Sequence, residues 1–362
     1  MGTPTTKQDN IALIRDLTNA FGPSAFEDEV VAVAQKYTNG IFDTRVDHLL
    51  NFYLDQKEAD SSKPTLLLDA HSDEVGLMIQ NIRPNGTLGF VSLGSWNPNT
   101  LPSSKVLVRN AEGKLLRGVV ASGAVHFFGR TEYDKPVDIS ELTIDIGATS
   151  AEEAREVYKV RIGEPALPDV AFEYDEEHDI MTAKAFDCRI GCAALIETMR
   201  RLDGETLGVN PRGVLSAQEE LGERGISVAV HKVNPEIAIC FEGCPADDTI
   251  MEPYAVQTAL KKGPMLRFMD KSIICSPKYM RWALDLAQRH GIPVQTAVRT
   301  GGGNNGGVIN LTGDGVPTIV IGIPVRYAHS HYTIASYQDF EHAVELAVLL
   351  AKNMDAEVIA RL

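Results

Sequence analysis

Cysteine is scarce in this chain. Five cysteines in 362 residues, an odd number, do not describe a disulfide-stapled secreted scaffold, and a reducing cytoplasm is the expected setting. No apolar run approaches the roughly 18 residues that span a bilayer, so no membrane partner is expected. Basic residues are outnumbered: 34 Lys and Arg face 49 Asp and Glu, a formal charge of −15. A field of that sign repels phosphate backbones, and no nucleic-acid partner is expected. The opening MGTPTTKQDNIALIRD carries neither a signal-peptide core nor an Arg-rich transit pattern. Gly2 with Thr6 fits a loose myristoylation pattern, with no second membrane signal beside it. Repeats, low-complexity tracts and a G-x-S-x-G elbow are missing too, and the last of these leaves a serine hydrolase poorly supported.

What is present is an α/β rhythm with an interruption. Ile11, Leu13, Ile14, Leu17 and Phe21 predict a first helix, stopped by Gly22-Pro23. Ser24-Ala25-Phe26-Glu27 is a capping-box pattern that opens a second helix through Val30, Val31 and Val33. Strands are expected around 42–48 and 51–54, and the run LLLDA at 66–70 reads as a buried central strand. From about residue 75 the texture turns β-rich, with hairpin signals at Pro84-Asn85-Gly86 and Glu112-Gly113. Helices and apolar strands then alternate to the end of the chain. The expected fold class is α/β, a mixed sheet flanked by helices, with a β-rich inserted assembly domain. The domain reading is a catalytic part at 1–74, a PDZ-like or barrel-like insertion at 75–168, and the rest of the catalytic domain at 169–362.

Five apolar or strand-like runs lead straight into acidic or histidine residues: LLLDAHSDEVG (66–76), AKAFDCRIG (183–191), GVLSAQEELGERG (213–225), IAICFEGCPADD (237–248) and IVIGIPVRYAHSH (319–331). Ligands of open α/β sheets bind beyond the carboxyl ends of the strands, so these ends can converge on one crevice. His71 and Asp73, two apart, point to one side if still extended, which lets Asp73 hold the imidazole nitrogen that faces away from a metal. Glu219-Glu220 are adjacent carboxylates after a buried strand, and something positive between them relieves both repulsion and lost solvation. Asp187 can bridge two cations with its two oxygens, or cap the helix that follows, or both. Glu242 is the carboxylate nearest its strand end, with Asp247 and Asp248 behind it. His329 and His331 follow the last strand; one can bind a metal and the other a substrate, or both can sit on the surface. Imidazole donors suit zinc or cobalt. The bland alternatives are a solvated loop histidine, a surface acidic pair and a charged loop. Two C-x3-C pairs, Cys188/Cys192 and Cys240/Cys244, offer a four-cysteine zinc site as a rival, against reduced thiols packed as small apolar groups. The TGGGNNGG run at 300–307 lacks a phosphate-loop ending and reads as a close backbone approach to the crevice or a plain turn.

Taken together and in this order, AHSDEVG, AFDCRIGC, QEELGERG and PVRYAHSH resemble the tetrahedral (TET) or glutamyl aminopeptidase family of dinuclear metallopeptidases, over essentially the whole chain. The resemblance implies hydrolysis of N-terminal residues from peptides with two divalent ions per subunit, Zn or Co, with Mn also accepted. It implies His71 on one metal, Asp187 bridging, Glu220 and His329 on the other, Glu219 as general base, and Asp73 behind His71. It further implies self-association into dimers that build dodecamers. Glu242 stands where the family usually has Asp, FDCRIG replaces FDNRIG, and Gly302-Gly303-Asn304-Asn305 replaces a Gly-Gly-Thr-Asp-like loop. Arg326 beside the site would favour acidic substrates. The alternatives are an amidohydrolase or deacylase acting on small acylated amines, a glucanase, since some relatives carry an endoglucanase label, and a metal-free scaffold.

Overall fold

Leu66, Leu68 and Ala70 alternate with Leu67 and Asp69, and all five are fully buried, so this strand is covered on both faces. The structure is a computed structural model that describes residues 5–123, 126 and 137–362. Gly2 and a stretch of the 75–168 insertion lie outside the described residues. Strands β1 (Asp43–Val46), β2 (Phe52–Asp55) and β3 (Thr65–His71) begin the main sheet. The chain then leaves it for β4 (Gly76–Ile82), β5 (Leu88–Leu93), β6 (Lys105–Arg109), β7 (Leu115–Val120), β8 (Thr143–Asp145) and β9 (Pro165–Pro168). These six close into a barrel in the order β4-β5-β8-β7-β6-β9. After β10 (Glu173–Asp175) and β11 (Ile180–Ala183), the main sheet resumes with β12 (Asn210–Ser216), β13 (Ile237–Pro245), β14 (Met265–Met269), β15 (Gln295–Val298) and β16 (Thr318–Val325). A last short strand, β17 (Thr333–Ala335), joins β10 and β11 in a sheet of their own.

The main sheet has the order β1-β2-β12-β3-β13-β16-β14-β15. Its four central strands, β12, β3, β13 and β16, run parallel. Their carboxyl ends therefore share one edge, which is where four of the five chemistry-bearing runs stop; the fifth, AKAFDCRIG, follows β11 and so comes from the small sheet instead. Leu66, Leu68 and Ala70 pack into a large core that includes the helices Lys7–Asn19, Phe186–Leu202 and Tyr337–Lys352. Leu67 points the other way, toward Ile226, Val230 and Ile309 on the helices Arg224–Val233 and Asn305–Asn310. The barrel keeps a core of its own, around Leu77, Leu88, Phe90, Val106 and Ile144. Among the described residues no helix is long and apolar enough to cross a membrane.

The expected elements are present with ends shifted by a few residues, and one local reading needs correction. The second helix is Asp28–Thr38, and its N-cap Glu27 makes no side-chain capping bond. Ser24 and Glu27 are drawn inward instead, toward the main sheet, because buried acceptors and donors there compete with the helix end. Leu68→Ala, in the middle of the doubly covered strand, should cost about 2–5 kcal/mol of folding stability. Urea denaturation with an unchanged m-value checks this.

Candidate metal centre

His71 is the last residue of β3 and 1% exposed. Its Nδ1 lies 3.2 Å from the Asp73 carbonyl and 3.3 Å from Asp73 Oδ1, so Nε2 faces outward. From there Nε2 is 3.1 Å from Asp187 Oδ1, 3.6 Å from Glu242 Oε2 and 3.9 Å from Glu219 Oε2. His329, in the loop after β16, sets its Nε2 3.3 Å from Asp187 Oδ2 and 3.4 Å from Glu220 Oε1. The two oxygens of Asp187 thus face two different histidines. Asp187 and Cys188 depart from helical geometry, breaking the helix at its start, and Asp187 lies on that break without capping it. Gly243 makes room: a Cβ there would stand 2.7 Å from the Asp187 Cα. Glu242 lies within β13, opposite Gly322 of β16, because that strand runs on to Pro245.

Glu219 and Glu220 sit on a 3-10 turn, Glu219–Leu221, after β12. Their side chains can point together because Gln218 takes a left-handed φ of 57° and Gly222 one of 100°. Asp73 holds the turn: its Oδ1 accepts from Glu219 N at 2.9 Å and its Oδ2 from Glu220 N at 3.2 Å. Ser24 Oγ donates to Asp73 Oδ2 at 2.6 Å, and Glu27 Oε1 accepts from Gln218 N at 3.0 Å. The Ser24 and Glu27 spacing, read as a capping box, is therefore a brace for this turn. Beneath the cluster Asn305 donates to Asp69 at 2.8 Å and to Ser216 at 2.7 Å. The sequence placed Ser24 and Glu27 at a helix start and Asn305 in a Gly-rich loop, and gave none of them, nor Asp69, a part in this cluster; an Asp inside an apolar strand run was the one signal available.

Groups of His, Asp and Glu donors close enough to share an ion are His71–Glu219–Glu220, Asp187–Glu220–His329, and His71–Asp187–Glu242 with Cys188. All seven residues singled out from the sequence are brought together: His71, Asp73, Asp187, Glu219, Glu220, Glu242 and His329. His331 is not among them; it is buried against Trp96, ring centroids 5.5 Å apart, and burial pushes its pKa down to about 4. The cysteine-zinc rival fails, since only Cys188 joins a candidate cluster among the described residues. All five thiols are buried and unbridged. Arg326 turns away to Asp248, at 2.9 and 2.6 Å. The cations that line the cavity of about 950 Å³ in front of the cluster are Arg267 and Arg299, together with the backbone of Gly301–Gly303.

The electrostatics fit a cation. Burial holds Glu219 well above the ordinary carboxylate range and pushes Glu220 up to about 8, with neighbouring carboxylates adding to both. Burial also raises Glu242. Burial disfavours a charged His71, yet the surrounding negative groups, Glu219 foremost, hold it well above the usual imidazole range. Such a cluster must gather positive charge, as protons or as an ion. Glu220 Oε1 is buried without a hydrogen-bond partner, which an ion would satisfy.

A parallel sheet whose strand ends carry imidazole and carboxylate donors, with a barrel inserted beside them, defines a metal-dependent hydrolase. The sequence profile of the M42 glutamyl aminopeptidase family matches residues 51–346, and the chain belongs to that family of metal-dependent aminopeptidases. It is 30% identical to the lysyl aminopeptidase of Pyrococcus furiosus, over 94% of this chain and 96% of that one. A crystal structure of a TET aminopeptidase from a marine-sediment Thaumarchaeota archaeon superposes with a TM-score of 0.92 at 35% identity, covering 97% and 99% of the two chains. The TET1 peptidase of Pyrococcus horikoshii, which can assemble into a tetrahedron or a large octahedral shell, superposes at 0.85 with 26% identity over 95% and 100%.

Ser24→Ala should remove about 1.5–3 kcal/mol of stability, because it strips a buried carboxylate of a hydroxyl donor. Ser62→Ala, whose hydroxyl bonds exposed Asp60, should change stability far less. Denaturant melts of the two variants check the difference.

Proposed function

We propose that this aminopeptidase uses two divalent ions, one held by His71 and Glu242, the other by Glu220 and His329, with Asp187 between them. The observation that carries the reading is the placement of the Asp187 oxygens, 3.1 Å from one imidazole and 3.3 Å from the other. Imidazole and carboxylate donors accept zinc, cobalt or manganese. Such ions, when bound, polarise a peptide carbonyl and acidify water.

The chain's own residues do the rest. Glu219 is the general base: it takes a proton from the attacking water and returns it to the leaving amine. Asp73 fixes the His71 ring and the backbone of the Glu219–Glu220 turn, so that both donors and base keep their places. The concentration of carboxylates favours a free, positively charged substrate amine over a blocked terminus, which supports exopeptidase action. The expected substrate is a peptide in the cytoplasm. The barrel is proposed as the assembly module for dimers that build a dodecamer; Val157 and Ile162, each 70% exposed, lie on the connection between its strands β8 and β9.

Glu219→Gln should lower kcat by roughly a hundredfold or more while leaving metal content unchanged. Full activity in that variant would remove Glu219 from the role. His71→Ala and Asp187→Ala should instead lower metal content, measured on dialysed protein by elemental analysis. Chelation should abolish activity, and adding back zinc, cobalt or manganese should restore it. Aminoacyl-anilides tested beside N-acyl amino acids and cello-oligosaccharides separate the peptidase from a deacylase or a glucanase.

A further inference from the structure

The two histidines of the cluster are oriented by different parts of the molecule. His71 is held from behind by Asp73, two residues further along the chain, just past the end of the strand. His329 is held from behind by the barrel: its Nδ1 lies 2.7 Å from the Ser95 carbonyl oxygen. A carbonyl only accepts, so Nδ1 donates its proton to Ser95, and Nε2 is the nitrogen turned toward Asp187 and Glu220, the one that would bind an ion. Ser95 is the second residue after β5, in a segment that leaves the barrel and reaches His329 at the sheet edge.

The same segment meets the other donor on that side. Gly94 has a φ of 79°, and a Cβ there would stand 2.7 Å from Val75 Cγ1 and 3.1 Å from Glu220 Oε2. Trp96 anchors the segment, donating Nε1–H to the Gly76 carbonyl at 3.1 Å and packing on His331. The Trp96–His331 contact also gives a place to the second histidine of the His-Ser-His run, which the proposed mechanism does not use.

We propose that residues 94–96 of the barrel are positioning residues for one half of the centre, so that the Glu220–His329 ion depends on barrel docking and the His71–Glu242 ion does not. This rests on the two-ion reading above. The barrel is then a working wall of the active centre as well as a surface for assembly. Loss of such an outer partner typically weakens a metal site by roughly ten- to a hundredfold.

The test compares Gly94→Ala with Gly113→Ala. Both place a side chain at a positive φ in the barrel, 79° and 76°, but a Cβ at Gly113 meets nothing within 4 Å. Zinc titration of the metal-stripped full-length protein, followed calorimetrically, should show two sites in the parent and in G113A. In G94A one site should weaken by about tenfold or more, the other should hold, and excess zinc should rescue activity. Because an alanine at 94 also presses on Glu220, Trp96→Ala provides the second variant. The Trp96 ring bonds Gly76 and packs on His331, and its loss should weaken the same single site. Two sites of parental affinity in both G94A and W96A would overturn the proposal, as would equal weakening of both sites in W96A. A parent that binds one ion would instead overturn the two-ion reading on which it rests.

Discussion

Repulsion among buried carboxylates is the constraint on which the rest of this molecule turns. Asp187, Glu219, Glu220 and Glu242 crowd around His71 at one sheet edge, with side chains at most 15% exposed. Two like charges about 4 Å apart repel by roughly 4 kcal/mol at an effective dielectric of 20, and there are several such pairs. The protein does not relieve this with an arginine: the nearest guanidinium groups lining the cavity, Arg267 and Arg299, are engaged by Asp270 and Asp247. The positive charge is left to come from outside the chain. This is the physical content of a metal-dependent site, and it accounts for the three glutamates and His71 being shifted toward their protonated forms, while Asp187, buried but bonded by both imidazoles, is held below the usual carboxylate range.

Holding such a cluster demands a scaffold stiffer than loops, and the parallel sheet supplies it. The donors are far apart in sequence but meet at one edge: His71 ends β3, whose register partner in β12 is Ser216, three residues before Glu219; Glu242 lies near the end of β13, and Asp187 arrives from β11 of the small sheet. Left-handed backbone conformations gather at these same ends, at Ala185, Gln218, Glu223 and His329. Each turns the chain sharply so that a side chain faces the crevice, at a local cost offset by the packing beneath.

This explains what could be read from the sequence. A strand end is announced by an apolar run that stops at a charged residue, so His71, Asp187, Glu219, Glu220, Glu242 and His329 were legible as candidates. The family resemblance then sorted their roles. The braces were not legible, because their signals are shared with commoner structures. Ser24 and Glu27 have the spacing of a helix cap, and only the tertiary fold shows that Asp73 and Gln218 claim them. Ser95 acts through its backbone carbonyl, which carries no sequence signature at all. Arg326 looked like a specificity residue through adjacency to His329, but its Nε and one terminal nitrogen both donate to Asp248.

The point of insertion of the barrel follows from the same logic. It begins at Gly76, five residues after His71, and without a clamp between the two the barrel would be free to pull on the strand end that carries the first donor. A buried ionic knot removes that freedom. Glu74, 2% exposed, receives Lys184 at 2.5 Å and Arg189 at 3.2 Å. Lys184 and Arg189 flank Asp187 in sequence and also bond the carbonyls of Ala20 and Gly22 on the first connection of the chain. Burial pushes Lys184 down to about 8, so this arrangement adds little stability compared with an apolar packing of the same volume. Its gain is geometric: a carboxylate gripped by two cations on one neighbouring segment admits one orientation, whereas apolar contacts admit several. The junction of the barrel, the chain around Asp187 and the N-terminal connection are thereby locked into a single arrangement, the one in which the oxygens of Asp187 lie between His71 and His329.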